Sequence, residues 1–310
     1  MPNLYIIGNG FDLAHRLPTA YSHFRKFLID NYDADEEIIL NVPSITTGNH
    51  GEDIFDDSEI ASLSAHMLVE ANAGENWSDF ENALGRFDYG EFFEYAADYD
   101  KDGEENLFHT YNNMEDISSG LLQTIPRIKD LFCEWIKTVK ISRIKAPKKI
   151  FANKINPDED MFLSFNYTHT LEIIYGCQNV CHIHGDVNSD ILVGHGYEYD
   201  ETEYQYNEGH YFGAQDNIQK LKRALRKNTD LALRSNKAFF KKLSDISNVY
   251  SVGFSYNDID LIYICEICNA INDSISNWII NNYNITDEKE ISAKLRNCGY
   301  NGSIEFEKII

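Results

Sequence analysis

The chain has 310 residues, 43% of them hydrophobic, with six cysteines and a formal net charge of −23. That length suits one large α/β domain with an insertion, or two domains. The acidity is the opposite of a nucleic-acid binder's basic footprint and argues against anionic lipid as a partner. Two basic stretches, Lys137–Lys149 and Lys220–Arg234, read as solvated helix faces or connectors. No apolar run approaches the ~20 residues of a membrane span. The start, MPNLYIIGNG, lacks the basic region and apolar core of a secretory signal. A cytoplasmic protein with reduced thiols is therefore expected.

Leu4–Ile7 is apolar without alternation, as in a central parallel strand. Gly8-Asn9-Gly10 breaks it, and a helix is predicted over Tyr21–Asn31, with Thr19 or Ser22 as cap. From about Asp33 to Glu75 the chain is polar, acidic and weakly periodic, an irregular or partly helical insertion. Helices follow at Asn76–Asp88, with capping-box spacing from Ser78 to Glu81, then at Glu91–Tyr99 and across Leu107–Val139.

From Asp160 strands and helices alternate. Strands are predicted at Met161–Asn166, Val180–His184, Ile191–Val193, Asn248–Gly253, Trp278–Tyr283 and Ser303–Phe306. Helices are predicted at His169–Tyr175, Gln215–Lys242, Ile259–Ala270 and Asp287–Asn297, the last stopped by Gly299. The pattern predicts an α/β fold: a doubly wound, mostly parallel Rossmann-like sheet with a large helical insertion. Residues 1–32 and 160–310 form the nucleotide-binding core, and 33–159 a mainly helical insertion or cap.

Four strands run into polar residues: IIGNGFD (6–12), FLSFNYT (162–168), CHIHGD (181–186) and VYSVGFSYNDID (249–260). Ligands bind beyond the carboxyl ends of parallel strands, so these tips predict one shared, nucleotide-sized pocket. Gly8 and Gly10 permit close backbone approach to phosphates, although Leu13 breaks the full GxGxxG spacing. The Asn166 amide can orient a ribose or a water, or cap the next helix. His182 and His184 share one strand face, and His184 is the candidate general base or a structural histidine.

Cys181, His182, His184 and His195 lack the usual metal-ligand spacing, and no metal is expected. Cys265 and Cys268 have CxxC spacing but lie in an apolar helical run without a second pair. They read as buried thiols, as do Cys177 and Cys181. Glu81 is either a capping-box residue or a carboxylate presented to the pocket. Asp258 and Asp260 are either helix caps or site acids.

Five segments together resemble the AbiH-type abortive-infection family of bacterial phage defence. They are IIGNGFDLAHRLPTAYSHF, NWSDFENALG, FLSFNYTHTLEIIYG, HIHGDV with ILVGHG, and VGFSYNDIDLIY. Two departures stand out: Gly253-Phe254-Ser255-Tyr256 where GHSL is expected, and Arg16 where Gly is more usual. The chain is also similar to the sirtuin-like NAD-binding domains of bacterial defence NADases. Those carry a glycine loop, an N-x-D tip, an HG tip and a late G-x-S tip.

That wider resemblance implies NAD as substrate, and the lack of the two CxxC pairs that form the zinc ribbon of protein-deacylating sirtuins favours NAD cleavage over deacylation. The resemblance places Gly8, Asn9, Gly10 and Phe11 at the pyrophosphate, and Asn166 at the nicotinamide ribose and attacking water. His184-Gly185 matches the HG, with His184 as base. Gly253, Ser255 and Asp258 match the late tip. Thr168 stands where the resemblance implies Asp, and Asp12 where Ser is common. Asp12, Asp258 or Glu81 would stabilise the positive charge of an oxocarbenium-like transition state. The implied function is a phage-defence NAD+ hydrolase, with the helical insertion as lid, trigger sensor or oligomer interface. A phage or host trigger protein and a homo-oligomer are the other expected partners. Two alternatives stay open: a nucleotide or ADP-ribose sensor without turnover, and a metal-dependent phosphoesterase of nucleotides or RNA.

Overall fold

The apolar runs at Leu4–Ile7, Met161–Ser164 and Asn248–Val252 become the centre of one sheet. The computed structural model describes residues 1–35, 40–70, 77–197, 213–271, 277–281 and 288–310, with the backbone alone at 70, 77–80 and 82. Its strands are β1 (Leu4–Ile7), β2 (Ile45–Thr47), β3 (Asp53–Phe55), β4 (Met161–Ser164), β5 (Asn179–His182), β6 (Asn248–Val252), β7 (Asn277–Asn281) and β8 (Ser303–Glu307).

Six of these form a sheet in the order β5-β4-β1-β6-β7-β8, every pairing parallel. Numbered among themselves in chain order they run 3-2-1-4-5-6, the Rossmann arrangement. The chain moves outward from β1 to β4 and β5, then returns to the other side of β1 for β6, β7 and β8. The strand order therefore reverses between β1 and β6, where doubly wound folds bind their ligands.

β1 explains why the sheet is covered on both faces. Leu4 and Ile6 join a core with Leu163, Tyr263 and Trp278. Tyr5 and Ile7, pointing the other way, join one with Phe11, Phe151 and Phe162. All four β1 residues are fully buried, and each such side chain contributes about 1.5–3 kcal/mol on burial. Among the described residues no helix is long and apolar enough to cross a membrane.

The chain divides into two compact units, Met1–Ala20 with Ile136–Leu192 and Asn228–Ile310, and Tyr21–Trp135 with Val193–Lys227. These boundaries differ from those read from the sequence, for packing reasons. Helix α1 (Asn9–Ala14) stays with the sheet unit, whereas α2 (Tyr21–Tyr32) packs on α3 (Asp57–Glu70) in the second unit. Asn217 donates to Ser118 Oγ (3.1 Å), fastening the Gln215–Leu225 helix to α5 (Leu107–Thr124). The second unit also holds α4 (Trp77–Arg86) and a core in which Phe24, Phe132 and Trp135 meet ring to ring at 5.3–5.4 Å. The helix α6 (Ile128–Thr138) follows α5 after a 3-10 turn containing Pro126.

Several expectations are corrected. Glu91–Tyr99 is not an α-helix beyond a 3-10 turn at Gly90–Phe93. The Asp100 carboxylate accepts Asp102 N and Glu104 N, both at 2.9 Å, and folds the next residues into a turn. Ile191–Val193 joins no ladder; Leu192 N instead donates to His184 O (2.8 Å). The antiparallel β2–β3 hairpin was missed because strands of three residues leave no readable period. The helix α7 (Lys149–Lys154) was also missed; it buries Phe151 against Tyr5, ring centroids 5.7 Å apart. The side chain of Ser78, in the proposed capping box, lies outside the described residues. Cys265 and Cys298 are disulfide-bonded rather than reduced, with Cα atoms 4.5 Å apart. Thirty-three residues separate them, and only the packing of two helices brings them together. Cys133, Cys177, Cys181 and Cys268 form no disulfide.

Candidate functional site

The tips of β1 and β4 put a carboxylate among hydroxyls. Asp12, in the short helix α1, is 1% exposed. Thr168 Oγ1 donates to its Oδ2 (2.6 Å) and Thr170 Oγ1 to its Oδ1 (2.9 Å). Burial pushes the Asp12 carboxyl up to about 6, against the hydrogen bonds of Thr168, Thr170 and Asn166 and the nearby His182 charge. A carboxylate poised there changes charge just below neutral pH and can take or hold a proton.

Asn166 sits two residues beyond β4, 6% exposed. Its backbone is pinned: Asn166 N donates to Ser164 Oγ (3.2 Å), and Asn166 O accepts His182 Nδ1 (2.8 Å). Its side-chain Oδ1 is buried without a hydrogen-bond partner among the described residues, as is Thr19 Oγ1. Thr19 therefore shows no capping bond of the kind its position predicted. A buried acceptor left unpaired costs ~1–3 kcal/mol, which a bound donor would recover.

The two histidines of CHIHGD differ. His182, at the end of β5, also donates from Nε2 to Glu172 Oε1 (2.8 Å), in α8 (Thr170–Tyr175). Burial pulls its pKa down, but the bonds to Glu172 and the Asn166 carbonyl carry it above the ordinary imidazole value. His184 is 3% exposed, its Nε2 3.1 Å from Tyr263 Oη and 3.7 Å from Asp260 Oδ1. Its ring stands edge-on to Phe165, centroids 5.2 Å apart. Gly185 has φ +78°, and a Cβ there would lie 1.9 Å from Asp190 O, so the turn itself demands glycine.

The glycines at the switch point serve each other. Gly10 N donates to Gly253 O (2.9 Å), and a Cβ on Gly8 would lie 2.4 Å from that oxygen. Gly253 has φ +66°, and its Cβ would meet Phe11 N at 2.2 Å. The β1 and β6 loops touch backbone to backbone, and this contact alone accounts for all three glycines. Phe11 is a core residue, packed on Phe151 at 4.9 Å. Asn9 donates to Thr19 O (2.9 Å).

The structure brings together Asp12, Asn166 and Thr168 and takes other predicted residues elsewhere. Ser255 is exposed. Asp258 is 88% exposed at its side chain and pairs with Lys294 (3.1 Å). It is Asp260, two residues on, that faces His184. In the second unit, Glu81 accepts Lys227 Nζ at 2.7 Å, both side chains almost wholly buried. His195, also in that unit, donates from Nε2 to Lys222 O and accepts Tyr197 N at Nδ1. The thiols of Cys177 and Cys181 are pushed up to about 12 by burial and are unreactive. Thr170 and Tyr263 were not singled out from the sequence. The T-x-T at 168–170 was the available signal for the first; nothing local marks Tyr263, 79 residues from His184.

These features define a Rossmann-like α/β protein with a buried polar cluster at its strand ends. The family model described as Bacteriophage abortive infection AbiH matches residues 4–282. The chain belongs to that family, which supports a role in phage abortive infection. No curated protein and no solved structure matches the chain.

Proposed function

We propose that this AbiH-family chain is a cytoplasmic abortive-infection effector that hydrolyses NAD+ at the nicotinamide–ribose bond. The observation carrying this reading is the pairing of a buried carboxyl raised to about 6, Asp12, with the amide oxygen of Asn166, which has no hydrogen-bond partner among the described residues. An oxocarbenium-like transition state needs a nearby negative charge, and the attacking water needs an acceptor for its proton. Asp12 supplies both, and Asn166 Oδ1 accepts from the ribose hydroxyl or that water. The Asp12 end of β1 borders the β1–β6 reversal where this strand order holds dinucleotides, with Asn166 on the neighbouring β4 side. His184, beside Tyr263 and Asp260, serves as a second proton-handling group.

A sensor that binds a nucleotide without turnover is favoured by one observation. Gly8 and Gly10 are occupied with Gly253, so their small size is not explained by a phosphate.

The test is mass spectrometry of nucleotides in bacteria expressing the wild type, Asp12→Asn, Asn166→Ala or His184→Ala, with and without phage. NAD collapse with the wild type and not with Asp12→Asn supports hydrolysis. Effective phage defence with unchanged NAD refutes it and favours the sensor.

A further inference from the structure

Beside the Asn166 turn, three side chains converge with donor atoms all within 4.8 Å of one another: His169, Glu172 and His182. His169 immediately precedes α8, Glu172 lies in its first turn, and His182 ends β5. The helix thus presents an i, i+3 His–Glu pair to a strand-end histidine. The rings of His169 and His182 lie 5.3 Å apart. The sequence offered Cys181, His182, His184 and His195 as conceivable ligands and led to no expectation of a metal; this set shares only His182 with them.

Two further observations point to a ligand. Glu172 Oε2 is buried and has no hydrogen-bond partner among the described residues. His182 Nδ1 is committed to the Asn166 carbonyl (2.8 Å), which aims Nε2 at the cluster. A metal-binding imidazole is held in just this way, its second nitrogen donating to a carbonyl or carboxylate. His169 Nε2 has a carboxylate beside it as well, Asp186 Oδ2 at 3.3 Å.

We propose that His169, Glu172 and His182 form a binding site for one divalent transition-metal ion, with Zn2+ the best match. Two imidazoles and one carboxylate are a borderline donor set, suited to Zn2+ and poorly suited to Mg2+ or Ca2+. Binding replaces the Nε2 proton that His182 shares with Glu172 by the ion and releases that proton to solvent. The fourth position is left for water. The ion ties α8 to β5, and through His182 Nδ1 it fixes the turn that carries Asn166. The proposal does not depend on NAD+ as substrate, because its test reads metal and not turnover.

The full chain, stripped with chelator and desalted, is incubated with ZnCl2, desalted again and analysed by elemental mass spectrometry and thermal melting. About one equivalent of zinc per chain and a raised melting temperature are expected, since a ligand of the native state stabilises it. MgCl2 should leave the melt unchanged. Glu172→Gln and His169→Ala should melt like metal-free wild type and bind zinc more than about tenfold more weakly. Using two variants guards against one of them failing to fold. Co2+ in place of Zn2+ should give visible ligand-field bands without a thiolate charge-transfer band. Failure of the wild type to retain zinc, undiminished zinc in both variants, or a thiolate band placing the ion on a cysteine would each overturn the proposal.

Discussion

Thr168 donates its hydroxyl to Asp12 Oδ2 at 2.6 Å, so the residue after β1 that carries an acid is bonded to the residue after β4 that lacks one. The resemblance to sirtuin-like domains implies Ser near position 12 and Asp at position 168. In this chain the acid is carried by α1 and the hydroxyl lies beyond the β4 tip, with one hydrogen bond joining them. On the proposed NAD+-hydrolase reading, Asp12 would do from α1 what an acid at position 168 would do.

A reciprocal exchange tests this. On the proposed NAD+-hydrolase reading, Asp12→Ser and Thr168→Asp, made singly, should each lower kcat/KM for NAD+ by about 10²-fold or more, the usual scale for a misplaced acid–base or electrostatic group. Asp12→Ser with Thr168→Asp should return to within about tenfold of wild type. A double variant as inactive as the singles would show that the position of the acid, and not its presence, decides the chemistry.

The same carboxyl should limit both activity and stability as pH changes. Its folded value of about 6 lies above the ordinary 3.8, because burial penalises the anion. A raised folded pKa means that the native state holds the proton more tightly than the unfolded chain. The associated stability is fully present below about pH 4 and is lost as pH rises through 6, a swing of about 3 kcal/mol. Asp12→Asn should therefore be more stable than wild type at pH 8 and no more stable at pH 4, read by urea denaturation. It should also abolish turnover, whose acid limb in wild type should fall below about pH 6. An unchanged stability difference at the two pH values would contradict the buried-anion account.

Much of the sheet was legible because its centre is chemically simple. Strands buried on both faces leave continuous apolar runs, and β1, β4 and β6 each run straight into polar residues at their ends. What the sequence could not show was which partner each tip residue would meet. Asp258 and Asp260 look alike in NDID, yet one faces solvent with Lys294 and the other faces His184. Gly8 and Gly10 read as a phosphate loop, yet they are explained by Gly253, more than 240 residues away. The Cys265–Cys298 bond and the transfer of 193–227 to the helical unit have the same origin. Each depends on tertiary packing that no local period encodes.

Arg16, where the family resemblance implies Gly, carries a local backbone cost. Its φ is +61°, in the left-handed region where glycine is favoured, which accounts for Gly being more usual there. The side chain is exposed. Left-handed backbone costs a residue with a Cβ about 1–2 kcal/mol, part of which Gly returns as unfolded-state entropy. Arg16→Gly should raise stability by about 0.5–1 kcal/mol in chemical denaturation while leaving turnover unchanged. A loss of stability would mean that the arginine side chain supplies more than its backbone costs.

Glu81 can be separated from the chemistry by the same logic. Its carboxylate meets Lys227 Nζ at 2.7 Å with both side chains nearly inaccessible. Removing one member of a buried ion pair is generally destabilising, by about 3–5 kcal/mol, whereas replacing both with apolar groups of similar volume is often neutral. Glu81→Gln should therefore destabilise the chain strongly, and Glu81→Leu with Lys227→Met should melt near wild type. Turnover by that double variant decides between the two readings of Glu81 made from the sequence. A stable, active protein assigns Glu81 to holding the helical unit together. A stable but inactive one restores it to the catalytic set, because a folded chain could then be missing only the carboxylate's chemical contribution.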